Sequence, residues 1–210
     1  MLFIGYVGVY LCRKNVAVAV PLLREDFHLT REAVGRIASA GTFAYALGKI
    51  ILCPLVDRWG GRSGFLAALI GVAVFSLCGA LAPSWGALTL IYAFNRFCGA
   101  AAWASMVKQA PPWFGEKNHG LVLGVLSLSY VFGGAAGIAC AGQISEWTGH
   151  SWRAIFGLPS FALLFIIGLA AWLLPRALRA PHTNGKGPTG FNWRLARTLV
   201  ASPSFWAVCA

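Results

Sequence analysis

Six long apolar runs constrain this chain more than any other feature of its sequence. They cover roughly Phe3–Leu23, Ala33–Val56, Gly64–Ala82, Ala87–Ala110, Leu121–Ile144 and Ala154–Leu174. A bilayer core is about 30 Å thick, and about 20 residues of α-helix cross it. Lipid offers no partner to backbone N–H and C=O groups, so an open chain can cross only as helix. The runs therefore predict an all-α membrane protein. Composition agrees: 58% of residues are hydrophobic and 11% charged, whereas a soluble domain carries about 25% charged residues. A soluble globular domain, a disordered tail and a secreted disulfide scaffold are all excluded.

The net charge of +11 would suggest nucleic acid in a soluble chain. Here the bases sit in connectors or alone inside apolar runs, and neither arrangement makes a solvated basic face. The expected partner is the lipid bilayer, with no nucleic acid. The six cysteines all fall in apolar stretches without C-x-x-C pairing and read as small buried hydrophobes. His28, His119, His150 and His182 are scattered and show no metal-ligand spacing. There is no G-x-S-x-G, P-loop or G-x-G-x-x-G motif. No metal, cofactor or enzymatic site is expected. The first run is full length and carries charges, unlike the apolar core of a cleavable signal.

Charge asymmetry sets an orientation. With the N-terminus in the cytoplasm, the connectors on that side carry Arg58, Arg62, Lys117, Arg176, Arg179, Lys186, Arg194 and Arg197. The outer side carries Arg24, Arg31, Arg36 and Arg153. Eight bases against four predict N-inside. Residues 1–175 then form a six-helix unit, 176–201 a basic cytoplasmic linker, and 202–210 the first turns of a seventh helix. Six helices followed by a basic linker is the shape of one half of a transporter built from two parallel halves.

Five bases lie inside the runs: Arg13, Lys14, Lys49, Arg96 and Lys108. A basic side chain at the bilayer centre costs about 2.5–3.5 kcal/mol on insertion scales. At 1.5 Å per residue Arg13 lies about 15 Å deep, Arg96 about 14 Å and Lys49 about 12 Å. Lys14 and Lys108 read as closer to helix ends, from where they could snorkel. No Asp or Glu lies inside the runs, so ion pairing within them does not explain the bases. Two readings remain. Each base can hydrogen-bond carbonyls of neighbouring helices, or the bases can line a water-filled cavity that holds an anion. An arginine fork and a lysine point charge suit a phosphate or carboxylate. Tyr6 and Tyr10 share a helical face with Arg13, and Tyr45 lies one turn before Lys49. Tyr130 interrupts an otherwise apolar run. A buried tyrosine needs a partner for its hydroxyl, so the coincidence with basic faces favours the cavity. The cluster Gly133-Gly134-Ala135-Ala136-Gly137 reads as close helix packing.

The run Gly5-Tyr6-Val7-Gly8-Val9-Tyr10-Leu11-Cys12-Arg13-Lys14-Asn15, with Ala17-Val18-Ala19-Val20-Pro21 after it, resembles the first helix of the organophosphate:phosphate antiporters. These belong to the major facilitator superfamily. The likeness continues through Ala44-Tyr45-Ala46-Leu47-Gly48-Lys49, Leu55-Val56-Asp57-Arg58 and Trp113-Phe114. It implies the six-helix N-terminal half of a twelve-helix fold in the inner (plasma) membrane. It implies exchange of a phosphorylated organic anion for inorganic phosphate. By the same resemblance Arg13, Lys14 and Lys49 bind the anion, with Tyr6, Tyr10, Tyr45, Tyr130, Trp103 and Lys108 lining the site. Asp57, Arg58, Gly60 and Arg62 resemble the superfamily's general loop signature, a conformational element. Arg96, in Asn95-Arg96…Gly99, departs from the antiporters towards the general helix-four motif and reads as structural or coupling. Tyr130 stands where the glycerol-3-phosphate carriers have a histidine, and Cys53 where the loop motif has a glycine.

Two other functions fit the same residues. One is a carboxylate symporter of the superfamily's anion:cation branch; the other is a membrane sensor for a sugar phosphate. Because alternating access needs two halves, residues 1–178 are expected to insert as six helices without transporting. Co-expression with a C-terminal half should restore exchange; robust phosphate exchange by residues 1–178 alone would contradict the two-half reading.

Overall fold

A computed structural model describes residues 1–109 and 118–173. Among these residues seven α-helices occur: α1 Leu2–Arg13, α2 Asn15–Asp26, α3 Arg31–Trp59, α4 Gly61–Ala80, α5 Trp85–Gln109, α6 His119–Trp147 and α7 Trp152–Leu173. α1 and α2 form one membrane-length segment, Leu2–Asp26, so there are six such segments for the six apolar runs. Five are long and apolar enough to cross a membrane. The sixth, α5, carries Asn95, Arg96 and Lys108. It is packed along α3 on one side and α4 on the other, so neighbouring helices take up much of its polar surface. The linker at 176–201, the start of a seventh helix at 202–210, and Trp113-Phe114 lie outside the described residues.

Helices outrun their apolar cores because polar end groups cap them. Thr30 Oγ1 accepts from the Ala33 N–H at 3.2 Å, an N-cap that starts α3 at Arg31, ahead of the apolar run. α2 runs on to Asp26, whose carboxylate accepts from the Trp152 indole at 2.8 Å. This extension centres the first segment on Lys14 and corrects the sequence reading, which put Lys14 nearer a helix end. Lys14 is the joint itself: its φ and ψ are −84° and −9°. There the Ala17 N–H turns back to the Lys14 carbonyl at 3.1 Å, the tighter i→i−3 pattern of a 3₁₀ turn.

α1 lies against α6 and α7, and α4 joins α5 to α7. The α1–α6 contact depends on the glycine cluster. A Cβ at Gly137 would sit 2.8 Å from the Tyr10 carbonyl oxygen and 3.2 Å from Lys14 Cβ. The backbones are close enough that only hydrogen fits, the small-residue packing expected of membrane helices. One core gathers Tyr10, Phe65, Leu69, Val72, Met106 and Leu163. A second gathers Leu23, Ile37, Leu88, Ile155 and Phe156.

The α3–α4 junction is a single residue. Gly60 has φ +88°, a backbone state that L side chains avoid, and α4 starts at once. Arg62 Nη2 donates to the Ala171 carbonyl of α7 at 2.8 Å. Asp57 takes the Lys108 ammonium of α5 at 3.0 Å. One end of α3, α4, α5 and α7 is thereby tied together, with Arg58 exposed beside it.

Gly137→Val should destabilise the bundle by about 1–3 kcal/mol, the usual cost of overpacking. Gly142→Val, at a glycine with open space around it, should cost far less. Thermal unfolding in detergent checks the difference; equal melting points for the two variants would mean that α1 does not depend on this approach.

Candidate functional site

Four helices bring aromatic and basic side chains to one cavity. α1 supplies Tyr6, Tyr10 and Arg13 at i, i+4 and i+7, one helical face. The Tyr6 and Tyr10 rings meet edge to face at 5.3 Å, a favoured aromatic geometry. Trp103 of α5 lies 5.5 Å from Tyr6, and Tyr130 of α6 meets Tyr10 edge-on at 5.3 Å. α3 supplies Tyr45 and Lys49, one turn apart. The space they enclose measures about 340 Å³ and is lined by Tyr6, Tyr10, Arg13, Tyr45, Lys49, Trp103, Ser127 and Tyr130. Four of the chain's five tyrosines line it, and Tyr6 and Tyr10 also pack into the core.

Among the described residues Arg13 anchors no backbone carbonyl. Its Nη1 donates to the Tyr10 hydroxyl at 3.0 Å. Its Cζ stands 5.1 Å from the Tyr10 ring centre and 5.0 Å from that of Tyr45. Lys49 Nζ stands 5.4 Å from the same Tyr45 ring. Such cation–π contacts contribute about 0.5–2 kcal/mol each, more when desolvated. Neither base forms an ion pair with a carboxylate among the described residues; the pairs there are Arg36–Glu32 and Lys108–Asp57. The two positive groups are thus held by weakly compensating aromatic faces and a hydroxyl. The cavity presents a planar fork and a point charge, both already positioned.

Not every residue expected at the site is there. Lys108 is turned away: its Nζ donates to the Asp57 carboxylate at 3.0 Å and the Asp57 carbonyl at 2.7 Å. The partner comes from outside the apolar runs, which themselves hold no acid. Helix α3 continues past its apolar run to Trp59 and delivers Asp57 to the end of α5. Lys14 is also outside the cavity lining. It points at the α6 glycines, with Cε 3.8 Å from a Cβ built on Gly134. Asp57, Arg58, Gly60 and Arg62 lie at the α3–α4 junction, away from the cavity. Arg96 borders a second, smaller cavity that shares Arg13 and Tyr45 with the first. Ser127, which the sequence reading missed, lies three residues before Tyr130 on α6. The same helical spacing that linked Tyr10 to Arg13 could have found it.

A model of the Major Facilitator Superfamily matches residues 2–210. The chain is 30% identical over 173 residues to the hexuronate transporter of Escherichia coli (strain K12), an alignment covering 81% of this chain and 39% of that protein. It is 26% identical over 183 residues to the glycerol-3-phosphate transporter of Bacillus subtilis (strain 168), covering 82% and 39%. It is 24% identical over 187 residues to the probable hexose phosphate transport protein of Chlamydia pneumoniae, covering 89% and 40%. The chain spans about 40% of the length of the curated relatives it matches. Its all-helical architecture and a family match running over nearly its whole length lead to one assignment: this multi-pass membrane chain belongs to the Major Facilitator Superfamily.

Proposed function

We propose that the protein is a secondary transporter of small organic anions, exchanging a phosphorylated organic anion for inorganic phosphate. The observation that carries this reading is the meeting of Arg13 and Lys49 on the Tyr45 ring. They meet in a cavity bounded by mid-segment residues of α1, α3, α5 and α6, with no carboxylate paired to either base among the described residues. Arg13 would take two oxygens of a phosphoryl group through its fork, and Lys49 a third as a point charge. The hydroxyls of Tyr6, Tyr10, Tyr45 and Tyr130 offer further hydrogen bonds, while that of Ser127 donates to the Leu123 carbonyl at 2.8 Å. Trp103 closes one wall. The six-helix unit would form one side of a midplane site, with a second half rocking around it. Charge asymmetry supports a cytoplasmic N-terminus in the plasma membrane. Alignment to relatives named for glycerol-3-phosphate and hexose phosphate supports the phosphate reading. Exchange of one anion for another requires no titratable acid in the span.

A second reading is transport of a sugar acid, favoured by the 30% identity to a protein named for hexuronate. An arginine fork also fits a carboxylate. The readings differ in charge: a phosphate monoester is mainly dianionic at neutral pH, since its second proton leaves near pH 6, and a hexuronate is a monoanion.

In the reconstituted protein, Arg13→Lys should abolish high-affinity phosphate binding while leaving membrane insertion intact, because charge alone does not replace the fork. Lys49→Ala should weaken a phosphate monoester by about 1.5–3 kcal/mol, the size of a charge-assisted hydrogen bond, and glucuronate by much less. Lys108→Ala, engaged by Asp57 elsewhere, should leave anion affinity unchanged and lower the melting temperature. Counterflow of labelled phosphate and titration with each anion test these outcomes. Retained phosphate exchange in Arg13→Lys rules out the binding role, and tighter binding of glucuronate than of any phosphate ester selects the sugar-acid reading.

A further inference from the structure

Arg96 sits at the middle of α5 and is only 9% exposed. It forms no ion pair among the described residues, and its Nε has no hydrogen-bond partner there. A buried guanidinium left in that state is costly, so its placement needs a reason. The backbone around it is shaped to hold it. Its stem runs past Gly41 of α3, where a Cβ would stand 3.3 Å from Arg96 Cγ. One turn further along α3, the Arg96 Cζ lies 4.8 Å from the centre of the Tyr45 ring. The neighbouring Asn95 donates its amide N–H to the Val72 carbonyl at 2.9 Å.

Tyr45 therefore carries three cations: Arg96 at 4.8 Å, Arg13 at 5.0 Å and Lys49 at 5.4 Å from its ring centre. A ring has two faces, so at least two of these charges share one. Charges each about 5 Å from one ring centre are at most about 10 Å apart, where like charges repel by about 1.7 kcal/mol or more at an effective dielectric of about 20. The aromatic quadrupole offsets part of that; a negative ligand would offset the rest. Arg13 and Tyr45 belong to both the main cavity and the smaller one that Arg96 borders, which makes the two spaces neighbours across the tyrosine.

We propose that Arg96 is the third cation of the anion site, a positioning and charge-setting residue that acts across Tyr45 to make the site prefer dianions over monoanions. This rests on the reading that the main cavity takes an anion. Arg96 need not touch the ligand. Its charge adds to the field of Arg13 and Lys49, and its stacking holds the Tyr45 ring against which both are aligned. Each further negative charge on the ligand gains from that field, so the effect grows with ligand valence.

The test compares methyl phosphate, a dianion at pH 8, with dimethyl phosphate, which keeps the phosphorus centre and loses one charge. Both are titrated by calorimetry into the purified, reconstituted protein. Arg96→Gln should weaken methyl phosphate about tenfold, the order expected for one screened charge interaction, and dimethyl phosphate less than about threefold. Arg96→Lys should recover most of the preference, which a purely packing role would not predict. If Arg96→Gln does not fold, Arg96→Met, apolar and of similar stem length, is titrated in its place. An unchanged ratio of the two affinities in the folded neutral variant, or equal loss for both esters, overturns the proposal. A wild-type protein that binds glucuronate and neither ester overturns the phosphate reading itself, and that failure shows before any Arg96 variant is made.

Discussion

Positive charge with no carboxylate paired to it among the described residues, held inside a helical membrane bundle, is the condition around which the rest of this structure is arranged. Arg13, Lys49 and Arg96 each face an insertion cost of about 2.5–3.5 kcal/mol. Their partners are tyrosine faces and one hydroxyl, worth about 0.5–2 kcal/mol apiece. The compensation is partial: among the described residues no carboxylate is paired to any of the three. The aromatic bed keeps the cations aligned and leaves their attraction available.

The backbone makes room for this arrangement in two places. Gly137 lets α6 close on α1, so that Tyr130 reaches Tyr10 and one wall of the cavity forms. On the other side, α3 comes within contact of α5 at Gly41 and Gly48, where a Cβ would meet Arg96 Cγ and, at 2.6 Å, the Phe97 carbonyl oxygen. Without that approach Tyr45 and Arg96 would not stack. At the far end Lys108 and Arg62 fasten α5 and α4 to α3 and α7 through backbone carbonyls and Asp57. That end holds together by polar contacts, whereas the cavity region holds together by close packing, and the two tasks fall to different bases of the same sequence.

Much of this was legible in the residues. The six apolar runs, the absence of acids within them and the helical spacing of Tyr6, Tyr10 and Arg13 are one-dimensional facts. Length against bilayer thickness and the 3.6-residue repeat turn them into helices with a polar face. The same logic placed Tyr45 with Lys49, and could have placed Ser127 with Tyr130. It misjudged Lys14, which lies one residue from the middle of its own apolar run and at the centre of the Leu2–Asp26 segment. It placed Lys108 near a helix end, where the last turn of α5 holds it, but did not show that α3 runs on past its apolar stretch and carries Asp57 to it.

What the sequence determined by itself is therefore the number of spanning segments, their helical state and which residues share a face, because these follow from backbone satisfaction in lipid and from periodicity along one helix. Tertiary structure alone decided which faces meet. That Arg13, Lys49 and Arg96 converge on one tyrosine, while Lys108 is drawn off to Asp57, depends on the rotation and depth at which separate helices pack. Those are set by where glycines allow two backbones to touch, a relation between residues far apart in the chain that no local pattern encodes.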